Sequence, residues 1–269
     1  MPAQIAPGGT RGFIVPIGGA EDKTGDMQIL RRFIRLCGRQ PSIAIIPTAS
    51  RKEDTGRNYQ ELFRDLEVGH AEVLNFVERS DCDVQESLAY LNRCDGVFIT
   101  GGNQLRLSTT IGGTAVAKLL RRRNADGMPV GGTSAGAAIM PEHMISSGEE
   151  GPTPRARMVQ LAPGLGLSNR IMVDQHFRQR DRIGRLLSAM ALNPFVIGLG
   201  IDEDTAAFIG PDNKVEVVGS GAVTFVDPFE VLENTVADAE PGQVIHLTNI
   251  KLHILGHGAR FDLETRRPL

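Results

Sequence analysis

The chain has 269 residues, of which 41% are hydrophobic, and it carries a formal net charge of −3 with an isoelectric point near 6.1. That length and apolar content are enough for one large core, and the acidic balance argues against a protein that coats nucleic acid or an anionic membrane. Tryptophan is absent and there are only two tyrosines, so the aromatic rings on which nucleic-acid bases stack are scarce.

The remaining bulk features favour one α/β domain over residues 1–269, with a flexible N-terminus at 1–11 and a frayed tail at 262–269. Three cysteines, Cys37, Cys82 and Cys94, have no C-x-x-C spacing, which predicts free thiols rather than disulfides or a zinc site. No secretory signal or membrane span is visible. We therefore expect a cytoplasmic protein with no metal, cofactor or membrane partner.

Short apolar runs alternate with helical stripes through the first half of the chain. The pattern predicts strands at 12–19, 43–46, 71–76 and 96–100, and helices at 27–37, 59–66, 84–91 and 114–123. A strict β-α-β rhythm of this kind is typical of a doubly wound, mainly parallel sheet with right-handed crossovers. Ligands of such sheets bind at the carboxyl ends of the strands.

The stretch Gly127–Met140 has the pattern of a strand, a sharp turn and a helix. Within it, Gly132–Gly136 fits the G-x-S-x-G nucleophile elbow, in which small flanking residues let the serine project from a tight bend. Ser134 is then a candidate nucleophile at a helix N-terminus, where the N–H of Ala135 would face an oxyanion. The alternative is an ordinary strand-to-helix turn with a buried serine.

Glycines also follow the strand at 96–100, in the stretch Gly101–Gln104. Glycine lets backbone N–H groups come close to a ligand, so Gly102 or Asn103 is a candidate for the second oxyanion donor. A plain turn explains the same residues equally well.

The second half of the chain is richer in strands. We predict strands at 170–174, 197–201, 205–209, 214–218 and 222–226, a helix at about 178–192, and weaker strands at 243–247 and 251–255. The last three strands of the first group are spaced like an antiparallel meander. We therefore expect additional antiparallel strands in the C-terminal part.

His176 follows a buried strand and has an acid and an amide beside it, which distinguishes it from the other five histidines. A serine needs a general base because an alkoxide is not available near neutral pH, and a histidine at a strand end is suited to that role. The alternative is a hydrogen-bonded surface histidine.

Three acids, Asp202, Glu203 and Asp204, end the strand at 197–201. An unpaired buried carboxylate costs several kcal/mol, so at least one of them should meet a partner, and a triad needs an acid to orient its base. Strand alternation puts Asp202 and Asp204 on one side and Glu203 on the other. Spacing alone does not choose between the two faces.

Four arginines follow His176. If this stretch is helical, Arg178, Arg182 and Arg185 share a face while Arg180 points elsewhere. A solvated helix face is the usual explanation for such a run. Its position beside a candidate base favours a site that recognises carboxylates.

These stretches resemble the cyanophycinases, serine exopeptidases of the group that also holds the aspartyl dipeptidases. The resemblance rests on four separated motifs, which follow one another in the same order as in that family: Gly101–Gln104, Gly132–Ala137, Asp174–Arg185 and Gly200–Ala206. The match extends over roughly 12–226. It implies a fold similar to class I glutamine amidotransferases. It also implies a homodimer that cuts cyanophycin, a poly-aspartate backbone with arginine on each β-carboxyl, into β-aspartyl-arginine dipeptides.

The resemblance also implies roles for individual residues. Ser134 would be the nucleophile, His176 the base and Glu203 the orienting acid, an order that differs from the serine, acid, histidine order of the α/β-hydrolases. The positions that correspond to the family's substrate pocket are Gln104, Asp174, Gln175, Arg180, Arg182 and Arg185. The arginines would hold aspartyl carboxylates and Asp174 could meet a substrate guanidinium.

Two other functions are compatible with these motifs. An α-aspartyl dipeptidase of the same fold would use the same serine but would not need so many arginines after the histidine. A non-catalytic protein that binds an acidic polymer would keep the pocket without the reaction.

Overall fold

The computed structural model describes residues 1–269 as a mixed α/β protein. The strands are β1 Ile14–Ile17, β2 Ser42–Ile46, β3 His70–Val73, β4 Gly96–Ile99, β5 Val130–Thr133, β6 His143–Gly148, β7 Val159–Pro163, β8 Ile171–Gln175, β9 Ile197–Ile201, β10 Thr205–Ile209, β11 Lys214–Gly219, β12 Ala222–Asp227, β13 Glu233–Asn234, β14 Leu247–Thr248, β15 Lys251–Gly256, β16 Arg260–Asp262 and β17 Arg267–Pro268. The α-helices are α1 Gln28–Cys37, α2 Thr55–Asp65, α3 Gln85–Arg93, α4 Gln104–Ile111, α5 Ala115–Ala125, α6 Ala135–Ala138 and α7 Ile183–Leu192, with 3-10 turns at Arg79–Asp83 and Arg178–Arg180.

A nine-stranded sheet forms the centre, in the order β17-β16-β11-β10-β1-β5-β4-β2-β3. The strands from β1 to β3 in that order are parallel, and those from β17 to β10 join them as antiparallel strands. The predicted mainly parallel sheet with added antiparallel strands is therefore found. Strands β1, β5, β4 and β2 bring their carboxyl ends to one edge.

Alternate residues of the parallel strands enter two different cores. In β2, Ile43 and Ile45 belong to a cluster that includes α1 and α2, whereas Ala44 and Ile46 belong to a larger cluster that includes α3, α4 and α5. Because successive side chains of a strand point to opposite faces, both faces are covered by helices. This is the doubly wound arrangement that the β-α-β rhythm predicts.

A second sheet of four strands, in the order β15-β12-β9-β8, packs its residues into the larger cluster. Strand β12 pairs with β9 and β15 in this sheet, whereas β10 and β11 pair with each other in the central sheet. The predicted three-strand meander is therefore wrong at its third strand. Spacing predicts three strands here but does not reveal the change of sheet.

Most predicted elements are present with shifted ends, and a few are new. Helix α4 begins at Gln104, directly after the glycine turn, where no helix was predicted. At the C-terminus, where we predicted a frayed tail, β17 pairs with β16 and the N–H of Leu269 donates to the Arg260 carbonyl at 3.0 Å. At the N-terminus, the Arg11 guanidinium donates to the Ala3 carbonyl at 2.6 Å. No helix is both long and apolar enough to cross a bilayer.

Candidate active site

Ser134 occupies the bend between β5 and α6 with φ 53° and ψ −110°, a backbone conformation that is strained for a residue with a side chain. Its N–H donates to the Ile17 carbonyl at 2.9 Å, which ties the bend to β1. A Cβ on Gly136 would overlap the Ile99 carbonyl, so the chain after the serine can pass β4 only with glycine there. The sequence thus forms the predicted nucleophile elbow.

The structure brings Ser134, His176 and Glu203 together although they come from three separate turns. Ser134 Oγ lies 2.8 Å from His176 Nε2, and His176 Nδ1 lies 2.6 Å from Glu203 Oε1. Both distances are those of hydrogen bonds. A hydroxyl, an imidazole and a carboxylate in this order allow the ring to accept the serine proton while the carboxylate stabilises the imidazolium that forms.

The end of β1 holds the histidine ring in place. The N–H of His176 donates to the Gly18 carbonyl at 2.8 Å, and the His176 backbone has φ 48°. Gly19 has φ 102°, and a Cβ at this position would overlap the imidazole. The ring therefore lies against a backbone that only glycine can supply. Gly19 lies at the site but was not predicted to, although the pair Gly18 and Gly19 directly after a buried strand could have indicated it.

Burial is the largest influence on the pKa of His176 and lowers it from its usual value. The hydrogen bond to Glu203 raises this pKa, whereas the charges of Arg180 and Arg182 lower it. The net direction is downward, so the ring is neutral and able to accept a proton near neutral pH.

Each of the three acids after β9 has its own partners, and the turn rather than strand alternation sets their directions. Asp202 accepts from the N–H groups of Arg178 at 3.0 Å and Ala222 at 3.1 Å. Asp204 accepts from the N–H of Asp22 at 2.8 Å. Glu203, the acid that contacts His176, has its own N–H bonded to Gln179 Oε1 at 3.1 Å.

The two predicted candidates for the second oxyanion donor differ in what their N–H groups do. The N–H of Asn103 donates to the Ala49 carbonyl at 2.9 Å, and its side chain caps α4 by accepting from the N–H of Arg106. Asn103 therefore has no free backbone donor in this geometry. The N–H of Gly102 makes no hydrogen bond within the protein, and the preceding Gly101 lies against the Ser134 side chain. Ala135 is the first residue of α6, so helix geometry leaves its N–H without a partner inside the helix.

The predicted helix at 178–192 is interrupted, and the shared arginine face does not form. A 3-10 turn ends at Arg180, Asp181 has φ 47°, and α7 begins only at Ile183. The Arg178 side chain is 76% exposed and its Nε lies 3.5 Å from Asp202. Arg182 and Arg185 instead point into the protein.

Asp174, Gln175, Arg182 and Arg185 form a buried network behind His176. Arg185 donates to both carboxylate oxygens of Asp174, from Nε to Oδ2 at 2.8 Å and from Nη2 to Oδ1. Arg182 donates to the Gln175 carbonyl at 2.6 Å and to its side-chain oxygen. All four side chains are buried, and Arg182 also lies 3.4 Å from the Glu150 carboxylate while its Nε has no hydrogen-bond partner. Their predicted contacts with substrate stay predictions.

The other two predicted substrate-binding residues lie in different surroundings. Gln104 is half-buried and donates to the carbonyls of Ile145 at 3.2 Å and Ser146 at 3.0 Å, which links α4 to β6. Arg180 is exposed, forms no ion pair and acts electrostatically on His176.

The buried carboxylate of Glu21, for which the sequence predicts no role, lies beside the elbow. Glu21, only 4% exposed, accepts hydrogen bonds from the hydroxyls of Thr133 at 2.5 Å and Tyr59. Lys23 Nζ lies 3.4 Å from the same carboxylate. Burial and this carboxylate raise the pKa of Tyr59, which stays protonated and donates. Glu21 thereby fixes the residue that precedes the nucleophile.

Ser134 and His176 open into a cleft of about 570 Å³ at the carboxyl edge of the sheet. Glu21, Lys23 and the turn at 101–103 form part of its lining, together with the loop Ala49–Lys52. No group of three or more His, Cys, Asp or Glu side chains is arranged to hold a metal ion, and the three cysteines are buried and free.

Two solved structures share this fold at low sequence identity. A peptidase from an acI-B1 Actinobacterium superposes with a TM-score of 0.70 at 21% identity, covering 95% of this chain and 98% of that one. A putative peptidase E from Listeria monocytogenes EGD-e superposes with a TM-score of 0.51 at 17% identity, covering 78% and 100%.

Curated relatives match over almost the whole chain. Cyanophycinases of Synechococcus elongatus and Trichormus variabilis are 42% identical, covering 96% and 98% of this chain and 81% and 89% of theirs. That of Geminocystis herdmanii is 39% identical and covers 96% of both chains. Residues 14–217 match Peptidase family S51. The resemblance inferred from the four motifs is confirmed, and the chain belongs to peptidase family S51.

Proposed function

We propose that this protein is a serine exopeptidase that hydrolyses cyanophycin to β-aspartyl-arginine dipeptides. The observation that carries the proposal is the hydrogen-bonded row from Ser134 through His176 to Glu203, at the mouth of an open cleft. The cyanophycinase relatives supply the choice of substrate. In this proposal the resemblance to the family and the geometry of the site support the same three residues.

The reaction begins when His176 Nε2 takes the Ser134 proton as Oγ attacks a backbone aspartyl carbonyl. The tetrahedral intermediate collapses to an ester on Ser134, and the imidazolium gives its proton to the departing amine. Water then attacks the ester with His176 again as the base. Release of the acid restores the free serine.

Two backbone donors suit the developing oxyanion. The N–H of Ala135 stands at the start of α6, and the unpartnered N–H of Gly102 belongs to the turn that packs on Ser134. Removal of a single preorganised oxyanion donor costs about 3–4 kcal/mol of transition-state stabilisation in a well-studied serine peptidase. We assign the second donor to Gly102 rather than to Asn103.

The predicted substrate residues divide into two roles. Arg180 is exposed and has no ion-pair partner, so its guanidinium is available to a substrate carboxylate. Asp174, Gln175, Arg182 and Arg185 are buried and bonded to one another, and we propose that they hold the strand end from which His176 projects. Gln104 fixes α4 against β6 at the side of the cleft.

A homodimer and a fold like that of class I glutamine amidotransferases belong to the same proposal, because the family resemblance implies them, and a cytoplasmic location is proposed with them. Sedimentation of the purified protein tests the first of these directly. A dimer mass supports the proposal and a monomer at all concentrations contradicts it.

The direct test is to incubate the purified protein with insoluble cyanophycin and to identify the soluble product by mass. We expect β-aspartyl-arginine from the wild type and none from Ser134→Ala. Cleavage of free α-aspartyl dipeptides with no attack on the polymer would favour the dipeptidase alternative. Binding of the polymer without any product would favour the non-catalytic alternative.

A further inference from the structure

A second depression of about 500 Å³ lies beside the catalytic cleft, beyond the carboxyl ends of β2 and β3. It shares Ser50, Arg51 and Lys52 with the lining of the cleft. The segment Asn75–Val77 and Arg106 of α4 contribute to its lining. The two concave surfaces are therefore neighbours that meet at one short loop.

This loop is held firmly against the turn that we assign to the oxyanion site. The Ala49 carbonyl accepts the N–H of Asn103 at 2.9 Å, and a Cβ on Gly102 would overlap the same carbonyl. The Ser50 hydroxyl bonds to that of Thr55 at 2.7 Å. The second depression consequently has a fixed position relative to Ser134, as a subsite for one polymer chain requires.

The charges of the second depression are unbalanced. Arg51, Lys52 and Arg106 all line it, and none of them takes part in an ion pair, although the chain as a whole has a net charge of −3. Glu53 is the one acid in the lining. Three free cations at one concave site favour a ligand that carries carboxylates, because charge-assisted hydrogen bonds are the stronger class.

The uncharged lining fits a ligand with both polar and aliphatic parts. Thr48 is 5% exposed and its hydroxyl has no hydrogen-bond partner. Val77 is 62% exposed, so the lining also includes apolar surface. An arginyl group would match this lining, because its α-carboxylate can pair with the cations, its methylene stem can pack on Val77 and its guanidinium can pair with Glu53.

We propose that this depression is a second substrate subsite, which binds the arginyl group of a repeat unit next to the one being cleaved. The proposal rests on the proposed function, because a polymer with an arginine on every unit can place one arginyl group in each of the two neighbouring concave surfaces. Oligomers of three or more units would use the subsite. An oligomer of two units, held across Ser134, would not reach it.

Binding affinities for the inactive Ser134→Ala protein should distinguish an oligomer of two units from an oligomer of three. We measure dissociation constants of soluble oligomers with two and three β-aspartyl-arginine units by calorimetry. The third unit should strengthen binding about tenfold, the expected size for one charge-assisted contact. Adding Arg106→Glu should remove that gain and leave the affinity for the two-unit oligomer unchanged.

Arg39→Glu is the matched control, since it makes the same charge change at an exposed arginine just before β2, at the opposite edge of the sheet. It should keep the tenfold gain. Equal affinities for two and three units in the parent protein, or a gain that survives Arg106→Glu, would overturn the subsite. A wild type that cleaves cyanophycin but shows either result refutes the subsite alone, whereas a wild type that cleaves no cyanophycin refutes the proposed function and the subsite with it.

Discussion

Two polar groups of residues begin at the same strand end and differ in how completely they are satisfied. Asp174, Gln175 and His176 are consecutive, yet Asp174 is 1% exposed with both oxygens bound by Arg185, whereas His176 faces Ser134 at the cleft. Ser134 Oγ has His176 as its one hydrogen-bond partner. Both oxygens of the buried Asp174 carboxylate are thus engaged by Arg185, whereas the Ser134 hydroxyl at the cleft has one partner and is open on its other side.

This difference separates a stabilising group from a reactive one. A buried ion pair whose donors and acceptors are all engaged has nothing left to offer a substrate, but removal of one partner leaves an uncompensated charge. A hydroxyl bonded only to a neutral imidazole can lose its proton to it. Substitutions in the two groups should therefore change different quantities.

The largest expected effect is on turnover. Ser134→Ala removes the proposed attacking atom and should lower kcat on cyanophycin by about 10⁴- to 10⁶-fold, as removal of a triad member does in well-characterised serine peptidases. The melting temperature should stay within about 2 °C of the wild type, because the hydroxyl has no other partner in the protein. Product release measured by mass and calorimetric melting together check this prediction.

The second effect is on stability. Asp174→Ala leaves the Arg185 guanidinium buried without its carboxylate and should lower the free energy of unfolding by about 3–5 kcal/mol. Asp174→Ala combined with Arg185→Met should recover part of this loss, because the uncompensated charge is gone. Urea unfolding of the two variants measures both values. A single variant as stable as the wild type would contradict the buried pairing of Asp174 with Arg185.

A smaller effect should follow from moving the imidazole without removing it. Gly19→Ala places a methyl group against the His176 ring and should lower kcat/KM about 10²-fold, the cost of a misplacement near 1 Å. Gly113→Ala is the control, since Gly113 also has a positive φ of 76° but no atom within 4 Å of the added Cβ. Full activity of Gly19→Ala would contradict the contact described for the ring.

The smallest effect is a shift of the pH profile. The proposed mechanism requires neutral His176, so kcat/KM should rise with pH through the pKa of this ring, which lies below its usual 6.5. The Arg180 charge lowers this pKa, so Arg180→Gln should move the acid limb to higher pH. Arg178→Gln, which loses a cation paired with Asp202, should leave the limb in place. An unmoved limb in Arg180→Gln would contradict the electrostatic contact.

Local chemistry was predictable from the sequence where one short stretch determines it. The elbow at Ser134 depends on glycines adjacent in the chain, and the parallel strands depend on apolar runs, so both could be predicted. The convergence of His176 and Glu203 on Ser134 could be expected only from the rule that strand ends share one edge and from the family resemblance.

Pairings between distant segments could not be predicted. The placement of β12 in the second sheet and the burial of Arg182 and Arg185 depend on which segments pack together, and the pattern of residues contains no such information. The helical interpretation of 178–192 failed because Asp181 adopts a left-handed conformation that ends the first turn. Glu21 lies just beyond a predicted strand, but its role could not be predicted because its partners Thr133 and Tyr59 are distant in sequence.

Covalent labelling of the serine tests the central proposal most directly, that His176 activates Ser134 for attack. The protein is treated with a fluorophosphonate, and the modified residue is located by peptide mass spectrometry in the wild type, His176→Ala and His70→Ala, which changes an exposed histidine of β3. We expect one adduct on Ser134 in the wild type and in His70→Ala, and labelling at least about 10²-fold slower in His176→Ala. Modification of a different residue, or equal labelling rates in all three proteins, would contradict it.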